Sequence, residues 1–240
     1  MLKIYRDPEA LFPALADFIV ACANEAIRRD GKFNLVLSGG SSPKKLYELL
    51  ASASYQYKID WKKVFFFFGH ERSVPSTHPD NNFLMARRAL FDPLNIGADH
   101  VVAVDTSLPP TECAKAYERN IRGHFKGSCR FDLILLGLGE NSHTASLFPH
   151  TTVLHETQAL IKAVLVDGLS VQRITFTARL INLAHRVVFL VFGASKSEAV
   201  HHILEDPLNI DAYPAQLIRP ENGELIWFLD EDAAAGIRKK

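Results

Sequence analysis

Phe131-Asp132-Leu133-Ile134-Leu135-Leu136-Gly137-Leu138-Gly139-Glu140-Asn141-Ser142-His143 is an apolar run of strand length that breaks into a glycine turn and ends on a histidine. So continuous an apolar strand is buried on both faces, as in a parallel sheet covered by helices. Glycines directly after it let the backbone turn sharply and approach a ligand closely. Ligands of such sheets bind outside the carboxyl ends of the strands. His143 therefore falls where a ligand would lie, and histidine is the side chain that titrates nearest neutral pH.

The same alternation recurs on both sides of this stretch. Strands are expected at 33–37, 64–68, 101–104, 163–166, 174–177, 187–192 and 225–229, and helices at 43–50, 81–90, 111–125 and 195–204. Leu15, Phe18, Ile19, Cys22, Ala23 and Ala26 recur at i, i+3, i+4 and mark one face of an earlier helix. Pro13 is expected in its first turn, because an interior proline costs ~3 kcal/mol. Ser42 is expected as the N-cap of the next helix, with Pro43 at its first position. Residues 69–79 read as a loop and 237–240 as a fraying tail. The fold class is α/β: a mainly parallel, doubly wound sheet with helices on both faces and room for a small additional lobe. One domain over 1–240 is expected.

Composition narrows the function. The chain has 240 residues, 48% of them hydrophobic, enough to form a sizeable core. Lys and Arg number 27, as do Asp and Glu, and no basic stripe stands out, which argues against nucleic acid. No secretory leader is recognisable, and no apolar run reads as the ~20 residues that span a bilayer. Cys22, Cys113 and Cys129 form neither a CxxC pair nor a zinc pattern, so buried thiols in a reduced, cytoplasmic compartment are expected. No metal site or organic cofactor is expected. A monomer or a homodimer fits equally.

Four segments lie just past strand ends. Ser38-Gly39-Gly40-Ser41-Ser42 is a Gly/Ser turn leading into a helix, where backbone N–H groups and the positive helix end favour an anion such as phosphate. It is not a Walker A loop, and an ordinary capping turn is the alternative. His70-Glu71-Arg72 follows four phenylalanines. Arg72 has the fork geometry to grip a phosphate; Glu71, which could orient Arg72 or a base, and His70, which could supply a second titrating group or only fill space, stand with His143 as the catalytic candidates. A solvated loop with an internal ion pair is the alternative there. His143 could activate water, with Glu140 or a backbone carbonyl setting its tautomer. Lys196, in Gly193-Ala194-Ser195-Lys196, could neutralise phosphate, and Arg173 is a further candidate. G-x-S-x-G is absent, which argues against a serine nucleophile. His201 and His202 are adjacent and point to different faces of a helix, so they are poor joint metal ligands.

Taken together, Leu37-Ser38-Gly39-Gly40-Ser41-Ser42-Pro43, Glu71-Arg72-Ser73-Val74-Pro75, Asp80-Asn81-Asn82 and His143-Thr144-Ala145-Ser146-Leu147-Phe148-Pro149 resemble the 6-phosphogluconolactonase family, of the glucosamine-6-phosphate isomerase/deaminase-like superfamily. Gly193-Ala194-Ser195-Lys196 and Pro214-Ala215-Gln216-Leu217 extend the match. The resemblance implies hydrolysis of 6-phospho-D-glucono-1,5-lactone to 6-phosphogluconate, in the oxidative pentose phosphate pathway, without a cofactor. It casts His143 as the general base, and the 38–42 loop, Arg72 and Lys196 as the phosphate clamp. Two positions depart from the pattern. The family usually has aspartate where this chain has His70, and Asp-Gly where it has Asn141-Ser142. A missing carboxylate would weaken His143 as a base. A positive φ at Ser142 would cost ~1 kcal/mol or more. Two other readings stay open: a sugar-phosphate-binding protein with impaired catalysis, and a sugar-phosphate isomerase or deaminase on the same fold.

Overall fold

The computed structural model describes residues 1–166, 168 and 170–238 of the chain. The elements run β1 (Leu2–Tyr5), α1 (Pro8–Asp30), β2 (Phe33–Leu37), α2 (Ser41–Leu50), β3 (Val64–Phe68), β4 (His70–Arg72) and α3 (Asn82–Ala86). A π-helical turn, Arg87–Phe91, joins α3 to α4 (Asp92–Leu94). Then come α5 (Pro110–Phe125), β5 (Leu133–Leu136), β6 (Ile161–Val164), β7 (Arg173–Phe176), α6 (Ala178–Ile181), β8 (Arg186–Val191), α7 (Ser197–Leu204) and β9 (Glu224–Asp230).

The described residues form two sheets. The larger has the order β1-β9-β8-β5-β2-β3, all parallel. Its inner strands β2 and β5 are buried at every position. A parallel pair needs a crossover connection, and successive crossovers place α1 and α2 over one apolar cluster and α5 and α7 over the other. Phe66 and Phe68 of β3 lie in the first cluster, and Phe67 lies in the second. Side chains of a strand alternate between faces, so one phenylalanine run serves two cores. The smaller sheet, β4-β7-β6, is antiparallel.

Several expectations need correction. α1 starts at Pro8, with Asp7 as N-cap accepting from Ala10 N at 2.9 Å, so Pro13 lies in the second turn and not the first. This 23-residue helix is also long and apolar enough, by length and composition alone, to cross a bilayer, which the hydrophobic periodicity did not bring out. Here Leu11, Leu15, Ile19, Cys22 and Ala26 of α1 are buried in the core. Gly40, at φ 106°, caps α2 with no side-chain bond, so Ser42 is not its cap and Pro43 is not its first residue. Residues 101–104 do not form a strand: after a single bridge from Val101 to Phe66 the ladder stops. The exposed-looking His70-Glu71-Arg72 is a strand, not part of a loop, because β7 supplies its backbone partners. β1 was not expected, since four residues of half-exposed edge strand carry little pattern. Lys239 and Lys240, the end of the tail expected to fray, lie outside the described residues.

Candidate active site

A cavity of about 270 Å³ opens at the carboxyl ends of β2, β5 and β8. The turn after β2 contributes Ser38, Gly39, Gly40, Ser41 and Ser42. The turn after β5 contributes Gly137, Gly139 and His143, and the turn after β8 contributes Lys196. His70 and Arg72 of β4 and Arg173 of β7 form the remaining wall.

Strand geometry explains that wall. His70 and Arg72 are two apart on β4 and so share a face. Arg173 is paired directly with Arg72 across the antiparallel ladder and lies on the same face. Glu71 points to the other side. Its buried carboxylate accepts the backbone N–H groups of Arg72 and Asn82 at 2.8 Å each and of Phe83 at 2.9 Å. Burial pushes this carboxyl up, against the pull of those three N–H groups. Glu71 is therefore an anchor for the start of α3 and does not reach the cavity, contrary to its expected place among the catalytic groups. His70, His143 and the phosphate-binding candidates Ser38, Gly39, Gly40, Ser41, Ser42, Arg72, Arg173 and Lys196 do line the cavity.

His143 is held tightly by its own loop. Ser142 N donates to Gly139 O at 2.9 Å, and Gly139 N donates to His143 O at 2.8 Å. A Cβ on Gly139 would overlap the His143 ring, so only glycine fits beneath it. Ser142 has φ 63°, in the left-handed region that disfavours a side chain. The imidazole stacks on Phe148, with centroids 4.0 Å apart, and the Arg173 guanidinium lies 5.4 Å from the same ring's centroid. His143 Nδ1 donates to Asn141 Oδ1 at 2.5 Å, which leaves Nε2 as the basic nitrogen. Asn141, not Glu140, thus sets the tautomer. Glu140 instead lies 3.7 Å from Lys196 Nζ.

The electrostatics follow from the lining. Arg72, Arg173 and Lys196 face the cavity, and among the described residues no carboxylate side chain lines it. Desolvation, then Arg173 and Lys196, push His143 down to about 4. Desolvation, with Arg173, Arg72 and His143 adding repulsion, pushes His70 down to about 3. Both imidazoles are neutral at pH 7. Burial and Arg72 also lower Arg173, whose Nε is buried without a hydrogen-bond partner. Among the described residues no cluster of His, Cys, Asp and Glu is arranged to hold a metal. The cavity is suited to an anionic ligand beside a neutral imidazole able to accept a proton.

Other residues behind the cavity escaped the sequence reading. Asp230, at the end of β9, accepts Gly193 N with both oxygens at 3.0 Å and so holds the turn that carries Lys196. A lone aspartate ending a strand gives no local sign of this. Asn82 was visible only within a matching motif, without a role.

Parallel strands whose carboxyl-end turns bring a Gly/Ser loop, a lysine and a neutral histidine against two arginines of a small sheet define a class of α/β proteins built around an anion pocket. Residues 6–227 match the family described as glucosamine-6-phosphate isomerases/6-phosphogluconolactonase. The 6-phosphogluconolactonase of Nostoc sp. is 40% identical over 240 residues, covering 98% of this chain and 96% of the relative. That of Synechocystis sp. is 43% identical, covering 89% and 88%. The solved structure of 6-phosphogluconolactonase from Trypanosoma cruzi superposes with a TM-score of 0.89 at 28% identity, over 98% of this chain and 96% of that one. The chain belongs to this family, as an enzyme of its 6-phosphogluconolactonase branch.

Proposed function

We propose that the whole chain, 1–240, is one catalytic unit that hydrolyses 6-phospho-D-glucono-1,5-lactone to 6-phosphogluconate in the cytoplasm. The observation that carries this reading is His143, its tautomer set by Asn141, in one cavity with the Gly/Ser loop, Arg72, Arg173 and Lys196. The loop's backbone N–H groups and these three cations bind the phosphate and orient the ring. Binding this remote group places the lactone carbonyl against the base. His143 Nε2 takes a proton from water as its oxygen attacks C1. The tetrahedral intermediate collapses, the ring C1–O bond breaks, and the ring oxygen leaves as a hydroxyl after taking a proton. The proton held by His143 is the one available for this. One water is consumed, and the carboxylic acid so formed loses its proton to solvent to give the carboxylate, leaving His143 neutral again.

His70 contributes a neutral imidazole beside the reacting groups. Isomerase or deaminase chemistry needs a placed base to remove a proton from carbon, and position 70 offers an imidazole beside Arg72 and Arg173 where the family usually has an aspartate. The test is lactone loss above the spontaneous rate, compared between the natural chain and His143→Ala. Equal rates would reject the reading. Tight 6-phosphogluconate binding with no turnover would instead mark a binding protein.

A further inference from the structure

Asn82 belongs to neither the loop nor the cation set, yet its buried side chain touches both. We propose that Asn82 is a positioning residue that holds the Arg72 guanidinium in the cavity, at a fixed spacing from the Gly39 backbone, without cancelling its charge. The proposal rests on Arg72 being a phosphate ligand.

The backbone of Asn82 is fixed first. Glu71 Oε1 accepts Asn82 N at 2.8 Å and Oε2 accepts Phe83 N at 2.9 Å. Asn81 caps α3 by accepting Leu84 N at 2.9 Å. From this anchored start the carboxamide reaches back to β4. Its Nδ2 donates to His70 O at 2.9 Å, and its Oδ1 accepts from Arg72 Nη1 at 3.3 Å. The same Nη1 donates to Asp80 O at 2.7 Å. Both acceptors that orient Arg72 thus come from residues 80–82, and both are neutral. A free arginine samples many rotamers, and two fixed acceptors select one. A carboxylate at Oδ1 would hold the guanidinium more strongly but would compete with an anionic ligand for it.

On its other side the carboxamide presses against the phosphate loop. A Cβ on Gly39 would overlap Asn82 Oδ1, Cγ and Nδ2. One side chain therefore sets the gap between the Gly/Ser turn of the large sheet and an arginine of the small one. The matching Asp80-Asn81-Asn82 motif acquires a part in this: a carbonyl for Arg72, a cap for α3 and a spacer.

The test is 6-phosphogluconate binding by calorimetry, with gluconate as the phosphate-free control. It compares the natural chain, Arg72→Ala, Asn82→Ala and the double variant. Arg72→Ala is expected to weaken binding by about tenfold or more, the scale of a hydrogen bond to a charged group. Asn82→Ala is expected to weaken it by at least roughly threefold, and the double variant no further than Arg72→Ala alone. Unchanged binding in Asn82→Ala, with Arg72→Ala impaired, overturns the positioning role and leaves the phosphate reading intact. Losses that multiply in the double variant also overturn it. Unchanged binding in Arg72→Ala rejects the phosphate reading itself, and the proposal with it. If Asn82→Ala does not fold, Asn82→Asp decides, read against His70→Ala binding as the control for β4: it keeps the size, pairs the guanidinium and gives up the donor to His70 O. Binding at full strength in that variant overturns the proposal, and a loss like that of Arg72→Ala supports it.

Discussion

The six-stranded and three-stranded sheets meet in one cavity but build it by opposite means. The large sheet contributes turns. Its strands end, glycines bend the chain, and the Gly/Ser loop, His143 and Lys196 are presented from these turns. The small sheet contributes strand faces. His70, Arg72 and Arg173 reach the cavity because alternate side chains of β4 and β7 point the same way. Turns can bring a backbone close and hold a base at a chosen angle. A ladder can hold two like charges side by side, since backbone hydrogen bonds fix the register and offset the repulsion. Labour is divided: the base comes from a loop of the parallel sheet, and two of the three cations come from the antiparallel sheet's face.

That division can be broken experimentally. The largest effect is expected from the loop side: His143→Ala should lower kcat by about 10²–10⁴-fold, as loss of a general base does, with little change in 6-phosphogluconate affinity. A variant as active as the natural chain would dissolve the division. From the face side, Arg173→Ala should raise KM by about tenfold or more while kcat changes less, measured by coupled lactone hydrolysis. A fall in kcat alone would place Arg173 with the chemistry instead.

Smaller effects sharpen the comparison. With His143 pushed down to about 4, the acid limb of kcat/KM, which reports the free enzyme, should lie near pH 4. Asn141→Asp adds an anion against Nδ1, favours the imidazolium and should move that limb upward by roughly one to three units. An unmoved limb would mean that the titrating group is not His143. The same groups couple pH to stability. The folded-state values of His70 and His143 lie below the ordinary 6.5, so the unfolded chain binds more protons in between. Their contribution is fully present above about 6.5 and is lost as pH falls towards 4 and then 3. Tm should drop across that window, and less steeply in His70→Asn. Smallest of all, Ser142→Gly removes the left-handed strain at φ 63° but adds chain entropy, so stability should change by under about 1 kcal/mol. Denaturant titration measures it.

The loop side was legible in sequence as structure, and the face side only as candidate side chains without their ladder, for a physical reason. Phe131 to Leu136 followed by Gly137 and Gly139 carries its meaning locally: continuous apolarity, then a required turn. The same holds for Phe33 to Leu37 with Gly39 and Gly40. His70-Glu71-Arg72 carries none, because three charged or polar residues become a strand only when a partner some 100 positions away supplies the ladder. Glu71 read as a catalytic candidate because it sits in a charged triplet just past an apolar strand, and a strand's alternation, invisible while the segment read as a loop, turned it inward. Asn141 was marked as a departure, but its 2.5 Å bond to His143 needed the folded loop.

By itself the sequence determined the α/β class, the parallel strands, the placing of the candidate site at their carboxyl ends and the charged and imidazole side chains that line its cavity. These follow from burial periodicity and glycine turns, which are properties of contiguous residues. Only the tertiary structure decided which side of β4 faces the cavity, that Arg72 and Arg173 stand side by side, that Asp230 and Asn82 hold the groups in front of them, and that desolvation among three cations keeps both histidines neutral. Register, charge environment and burial arise between residues distant in the chain, and no local pattern encodes them.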